Sequence, residues 1–383
     1  MGIQPEARAV TTGPKHHFFG YYDKSPWDST GRYMLGMETS FMDRSPTGDD
    51  PAVIGLIDLE DGNRWIPLDE TRAWHWQQGA MLQWLPNAPD RLVIYNQKRR
   101  DEFISIIRDI KSGETRTLPR AIYAVSPDGR SAITLNFARL HRTRPGYGYP
   151  GGRDPWAGEL EPGEDGLYWM DLATGDSRLI ISIAQMAQTN RKHRMKGCVH
   201  WFNHLQFNPD GTRFIFLHRW RTEDWKIRDT RFYTANPDGT DIYCLNDDDM
   251  TSHFDWYSPQ KAFAWARRHG RGDHYYMFTD RTEEIEPVGE GILTTDGHCS
   301  FSPDRRWLLT DTYPDREHKR TLILYDMVEK RRVDLGRFLS PPVPFNEIRC
   351  DLHPRWSRDG RQVCFDSVHE GSRQMYVVDV GEK

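Results

Sequence analysis

Seven times along the chain an apolar β-like run leads into a turn of the Ser-Pro-Asp-Gly type. The copies begin at Tyr21 (YYDKSPWDSTGRYMLGM), Met81 (MLQWLPNAPDRLVIY), Ile122 (IYAVSPDGRSAITL), His204 (HLQFNPDGTRFIFL), His253 (HFDWYSPQKAFAWA), His298 (HCSFSPDRRWLLTD) and His353 (HPRWSRDGRQVCFD). Each reads as strand, tight turn, strand, because proline fixes φ for a turn while aspartate and glycine accept its unusual angles. A second strand pair follows most copies, as in GLIDLEDGNRWIPL, RFYTANPDGTDIYCL and LILYDMVEKRRVDL. Copies roughly 40 to 80 residues apart are within reach of four-stranded blades that carry loop insertions. The pattern predicts an all-β chain: a seven-bladed β-propeller of four-stranded antiparallel blades.

In such an array each blade buries its faces only against its neighbours, so residues 1–383 are expected to form one domain despite their number. No linker-like stretch or charge run divides them. Hydrophobic content is a modest 37%, but 14 Trp, 16 Tyr and 17 Phe can fill the wedges between blades. The seventh unit shows three strands, HPRW, RQVCFD and RQMYVVDV, before the sequence stops. An unpaired edge is an aggregation liability. The segment from Ala7 to Thr12 is therefore expected to supply the fourth strand and close the ring.

A net charge of −5 without a basic tail argues against a nucleic-acid partner. No run approaches the ~20 apolar residues that span a bilayer, so no membrane partner is expected. The five cysteines show no paired spacing, and MGIQPEARAV lacks a basic segment followed by an apolar one. A reduced, cytoplasmic setting is the corresponding expectation.

In a propeller, the loop entering the first strand of a blade and the loop leaving its second strand open on the same face. The unusual polar residues gather at these two places. First-strand starts carry Tyr21 and Tyr22, Trp74 and Trp76, His204, His253, His298, Cys350, Asp351 and His353; second-strand exits carry His218 and Arg219. Turns on the opposite face are of the ordinary SPDG and ATGD types. Counting back four residues from the turn Ser or Asn reaches His204, His298 and His353, and in the remaining blade His253 lies five back. Neighbouring blades thus present imidazoles at one height beside the axis.

Converging imidazoles suit a divalent transition metal, preferably with a carboxylate or thiolate completing the set. One imidazole can also act as a general base near neutral pH. His298, Asp351 and His353 form a plausible triad, with Cys350 as an alternative ligand; hydrogen bonding across blades without metal is the competing reading. Arg219, Arg231, Arg349 and Arg373 supply guanidinium forks that grip carboxylates. Beside the flat surfaces of Tyr21, Tyr22, Trp74 and Trp76 they suit an acidic sugar. The insertion at 138–165 in blade three, rich in Gly and Pro, is long enough to form a rim over the site.

From about Asn203 to Val380, through NHLQFNPDGTRFIFLHRW, TRFYTANPDG, SHFDW, DGHCSFSPD, DLHPRWSRDG and SVHEGSRQMYVVDV, the chain resembles the oligogalacturonate lyases. These are seven-bladed propellers that cleave uronic-acid oligosaccharides by β-elimination. The propeller ulvan lyases are a looser likeness. The resemblance implies that His253 abstracts the proton, that Arg231 assists at the substrate carboxylate, and that His298 and His353 hold a manganese ion. Two family ligands are replaced: a His falls on Asp351, and a Gln falls near Ile348 or Arg349. Asp351 would favour a harder ion, whereas Cys350 nearby would favour zinc. In the implied reaction His204, His218 or Tyr22 protonates the leaving oxygen. Two other readings stay open: a non-catalytic binding platform, and a hydrolase of acidic or rhamnose-bearing glycans, which would need two carboxylates flanking the bond. No GxSxG elbow appears, so a serine hydrolase is not expected.

Overall fold

The computed structural model describes residues 6–381. These build seven four-stranded antiparallel sheets arranged as the blades of a propeller. Blade one holds His16–Phe18, Tyr33–Thr39, Ala52–Asp58 and Arg64–Thr71. Blade four, the most regular, holds Val199–Phe207, Phe214–Arg221, Arg228–Ala235 and Tyr243–Asn246. In blade seven the strands Arg355–Trp356, Gln362–Ser367 and Gln374–Asp379 are completed by Arg8–Ala9, which pairs Arg8 with Val377 and Ala9 with Tyr376. The N-terminal segment therefore closes the ring. Val10 extends the seam, its N–H donating to the Met375 carbonyl at 2.9 Å.

The recurrent turns fold as their composition dictates. Ser126, Ser302 and Ser357 each donate a side-chain hydrogen bond to the aspartate two residues on, at 2.5–2.6 Å. Each serine oxygen also accepts the N–H five residues further along the chain, at 2.9–3.0 Å. Asn208 substitutes for serine, taking the Arg213 N–H at 2.9 Å. The tryptophans before these turns tie blades together. Trp84, Trp256 and Trp356 donate their indole N–H groups to the carbonyls of Pro26, Gln206 and Ser300 in the preceding blade. All three rings are buried, so packing and directional bonding act at the same seam.

The insertion after the second strand of blade three begins as a helix, Phe137–Thr143, capped by the Asn136 side chain. Arg139 fixes it. That buried guanidinium donates to the His200 carbonyl at 2.9 Å and to the Trp156, Glu159 and Leu160 carbonyls at 3.0–3.2 Å. The following turn, Arg144 to Pro150, is thereby pinned over the same end of the propeller as the histidines. Among the described residues no helix is long and apolar enough to cross a membrane.

Candidate active site

Aromatic side chains from five blades meet at the axis. Tyr21 stacks on His204 at 5.1 Å and packs against His353 at 5.0 Å. His298 lies 4.1 Å from His253 and 4.3 Å from His353, ring centre to ring centre. Tyr22 packs on both His253 and His298, at 5.8 and 5.5 Å.

The backbone is shaped to aim these rings. His204 sits in a β-bulge, and both it and His353 adopt left-handed conformations, with φ of 51° and 42°. Non-glycine residues hold such angles at a cost of about 1–3 kcal/mol, and they concentrate at functional sites. The one-residue offset of His253 in the repeat has a cause: an extra residue is accommodated between Trp256 and Ser258 where the strand pairs with its neighbour. Tyr21 and Tyr22 reach the axis because Gly20, at φ +135°, lets the chain run against Gln78, where a Cβ would come within 2.8 Å of the carbonyl oxygen. The buried Arg355–Asp366 pair, at 2.8 Å, holds this loop through bonds to the Gly20 and Tyr21 carbonyls.

Three of the imidazoles have orienting contacts at Nδ1. His253 Nδ1 lies 2.9 Å from Asp296, and His298 Nδ1 lies 2.9 and 3.0 Å from the two oxygens of Asp311. A carboxylate on Nδ1 leaves Nε2 as the basic or ligating atom. His204 Nδ1 is instead engaged by Gln78 and the Tyr123 hydroxyl, both at 3.1 Å, and its Nε2 faces the Tyr21 hydroxyl at 3.5 Å. Burial, followed by the nearby Arg144, pushes the His204 pKa well below its ordinary value. Burial and His298 do the same for His353.

His298, Asp351 and His353 offer ligand atoms that all lie within 4.8 Å of one another. His298 Nε2 and His353 Nε2 are buried without hydrogen-bond partners, at 4.0 and 3.8 Å from Asp351 Oδ2. Asp351 is ion-paired with Arg320 at 2.6 Å and Arg349 at 2.7 Å, in contacts too poorly aligned to be hydrogen bonds. Burial alone would raise its pKa, but these two guanidinium groups hold it well below the usual carboxylate range. Two orphaned imidazole nitrogens facing a buried carboxylate fit a divalent cation. Cys350 is buried in the next position but stands outside this group; burial pushes its thiol up to about 11, so it is protonated at neutral pH.

Next to the imidazoles, across Tyr147 and Tyr313, opens a cavity of about 520 Å³ lined by these two rings with Arg144, Arg228, Arg349 and Trp225. Tyr147, from the blade-three insertion, packs on His204 at 5.6 Å and hydrogen-bonds Arg349 at 3.1 Å. Burial opposes ionisation of its phenol, but Arg144 and Arg349 outweigh it and bring the pKa down to about 7. Tyr313 packs near His253 and His298 at 6.5 and 6.3 Å. Arg219 is buried beneath, its pKa lowered by burial and by Arg144 and Arg228, with one hydrogen bond to the Thr251 carbonyl at 3.3 Å.

Several residues singled out in the sequence stand elsewhere. Arg231 is fully buried, bound to Asp247 at 2.7 Å and to the carbonyls of Thr189 and Asn190. It is the fourth residue of its strand, whereas Arg228 opens that strand at the functional face and lines the cavity. His218 pairs with His200, Nε2 to Nδ1 at 3.0 Å, and stacks there rather than at the axis. Trp74 and Trp76 are packed core rings whose indole N–H groups bind the Asp50 and Arg44 carbonyls. The large aromatic surfaces left open at this face are Trp225, Tyr313 and Phe345, at 43%, 41% and 59% exposure. Arg144, Tyr147, Trp225, Arg228 and Asp296 escaped the sequence reading. The basic strand start at Arg228 offered one signal, and the insertion at 138–165, expected as a rim over the site, carries Arg144 and Tyr147.

Architecture and site together define a propeller with an imidazole-rich, cation-rimmed axial cavity. No protein-family model matches the chain, and no curated protein does. Among solved structures, it is similar to an oligogalacturonate lyase from Vibrio parahaemolyticus, at 15% identity and a TM-score of 0.69. It is also similar to an oligogalacturonate lyase in complex with manganese, at 17% identity and a TM-score of 0.71. Both alignments cover 99% of this chain and 94% of the other. A prolyl endopeptidase structure aligns with a TM-score of 0.54 and 12% identity, over 98% of this chain but 51% of that one. At these identities the likenesses show the fold.

Proposed function

We propose that the protein is a lyase that cleaves uronic-acid-containing oligosaccharides by β-elimination. The observation that carries this reading is a carboxylate-oriented imidazole, His253, packed near Tyr313, which lines a cavity walled by three guanidinium groups. The full-length likeness to two oligogalacturonate lyases, one of them a manganese complex, supports it.

The C5 proton of a uronate is removable only when the adjacent carboxylate is neutralised, because the developing carbanion then delocalises into an enediolate. Arg144 and Arg228 are poised to bind that carboxylate, and Arg349, engaged by Asp351 and Tyr147, adds positive charge beside them. His253, its Nδ1 held by Asp296, presents Nε2 as the base for the C5 proton. Tyr147 carries a phenolic proton that exchanges near neutral pH and would deliver it to the leaving oxygen as the C4–O bond breaks. His204, bonded at both nitrogens, positions Tyr147 and Tyr21.

His298, Asp351 and His353 would hold a divalent metal, with Asp351 favouring a hard ion such as manganese over zinc. Bound there, the ion supplies Lewis-acid neutralisation of the uronate carboxylate. Arg231, by contrast, serves to anchor the Thr189–Asn190 turn.

Hydrolysis is the weaker reading because the nearby carboxylates are committed: Asp296 to His253, Asp311 to His298, and Asp351 to two arginines. Glu347, which also lines the cavity, is not, but it has no second uncommitted carboxylate among these with which to form an acid–base pair across a glycosidic bond. Mass spectrometry of the products decides between them. Elimination yields a fragment lighter by one water than hydrolysis does, and products that have all gained water would refute the lyase assignment.

A further inference from the structure

A second cavity, of about 330 Å³, adjoins the cationic one, and Pro145 and Glu347 wall both. Both volumes fall in the range of small-molecule sites. Their chemistry differs sharply. The second cavity is faced by Trp76, Phe345 and three prolines, and no arginine or lysine lines it. Its polar groups include two imidazoles, His75 and His141, and the Glu347 carboxylate.

His75 is buried, and its Nδ1 accepts the N–H groups of Gln77 and Gln78 at 3.2 and 3.3 Å. The ring proton therefore sits on Nε2, which has no hydrogen-bond partner and meets only the Tyr147 carbonyl in poor alignment. A buried donor left unsatisfied costs about 1–3 kcal/mol, and a ligand hydroxyl would relieve it. Burial, reinforced by His141, lowers the His75 pKa to about 3, and burial lowers that of His141, so neither offers a cation at neutral pH. Phe345, the most exposed aromatic on this face, stands at the mouth as a stacking surface.

We infer that this cavity is a sugar subsite for an uncharged ring with an apolar face, joined to the uronate bound next door. The inference rests on the uronide-lyase reading of the neighbouring cavity and adds its substrate class: a mixed uronate–neutral oligosaccharide. A second uronate placed here would meet the Glu347 carboxylate with no cation to offset it. A neutral ring would stack on Phe345, cover the proline wall and take the free His75 N–H on a hydroxyl.

The test compares a diuronide with a disaccharide of uronic acid and the corresponding neutral hexose, measuring turnover and calorimetric binding for the full-length protein. The mixed sugar should be favoured by about tenfold or more, and Phe345→Ala should erase about tenfold of that preference, the loss typical of truncating an aromatic anchor. Glu347→Gln should improve diuronide binding; it changes charge at a half-buried wall position, so it tests the inference should Phe345→Ala prove uninformative. Preference for the diuronide, equal use of both sugars, binding of neither, or a preference indifferent to Phe345→Ala would overturn the subsite. Preferential binding without any unsaturated product would leave the subsite standing and refute the elimination chemistry.

Discussion

The imidazoles of His253 and His298 lie 4.1 Å apart, yet each Nδ1 is held by its own carboxylate, Asp296 for the first and Asp311 for the second. Two rings so close share a site, and their separate partners let them take different roles. Asp311 has 0% side-chain exposure, whereas Asp296 has 19% and stands toward the opening. The deeper ring suits a ligand and the shallower one a base.

Asp296→Asn separates the base from its scaffold. The amide keeps the volume but no longer fixes the tautomer that leaves Nε2 basic. Turnover should fall by at least ~10²-fold with little change in melting temperature, because the group is partly solvated. Steady-state kinetics beside a thermal melt check both halves.

Metal binding follows from the orphaned nitrogens of His298 and His353. Chelated protein titrated with Mn²⁺ should gain thermal stability as binding to the folded state is linked to unfolding. Asp351→Ala should abolish that gain. Asp311→Asn, which disturbs only the partner of His298, should weaken calorimetric affinity by about 10–100-fold.

Tyr147 sets the alkaline side of the pH profile. As a general acid it must carry its proton, and that form is lost as pH rises through a pKa of about 7, depressed by Arg144 and Arg349 against the effect of burial. Activity should decline above that value. Tyr147→Phe should lower kcat by about 10²-fold or more and remove this limb from the profile.

Ring closure depends on the N-terminal strand. Arg8 and Ala9 complete blade seven, and Val10 is 2% exposed, so burying that side chain alone contributes roughly 1.5–3 kcal/mol. Deleting residues 1–12 should lower the denaturant midpoint and expose the Gln374–Asp379 edge, increasing aggregation measured by light scattering.

The architecture was legible because each repeat carries its own turn chemistry, with Ser126, Asn208, Ser302 and Ser357 bonding just as such turns require. The axial imidazoles were legible too, since the repeat register places equivalent residues at one height. The insertion was expected as a rim, but the residues it presents to the cavity were not legible. Arg144 and Tyr147 reach the cavity only because the buried Arg139 pins the insertion over it, a tertiary bond network with no sequence period. Arg228 and Arg231 share one strand, and choosing between them needs the depth at which that strand begins. Trp74 and Trp76 looked like open platforms because indole rings serve equally as core filling. Their N–H groups found the Asp50 and Arg44 carbonyls, which belong to a long loop of blade one that no local pattern brings near.

The most direct measurement of the central claim follows far-ultraviolet absorbance while the protein acts on uronic oligosaccharides deuterated at C5. Proton removal by His253 predicts a rise from the unsaturated product, slower for the deuterated sugar and lost in His253→Ala. Cleavage without that rise, or a rise that His253→Ala leaves intact, would contradict it.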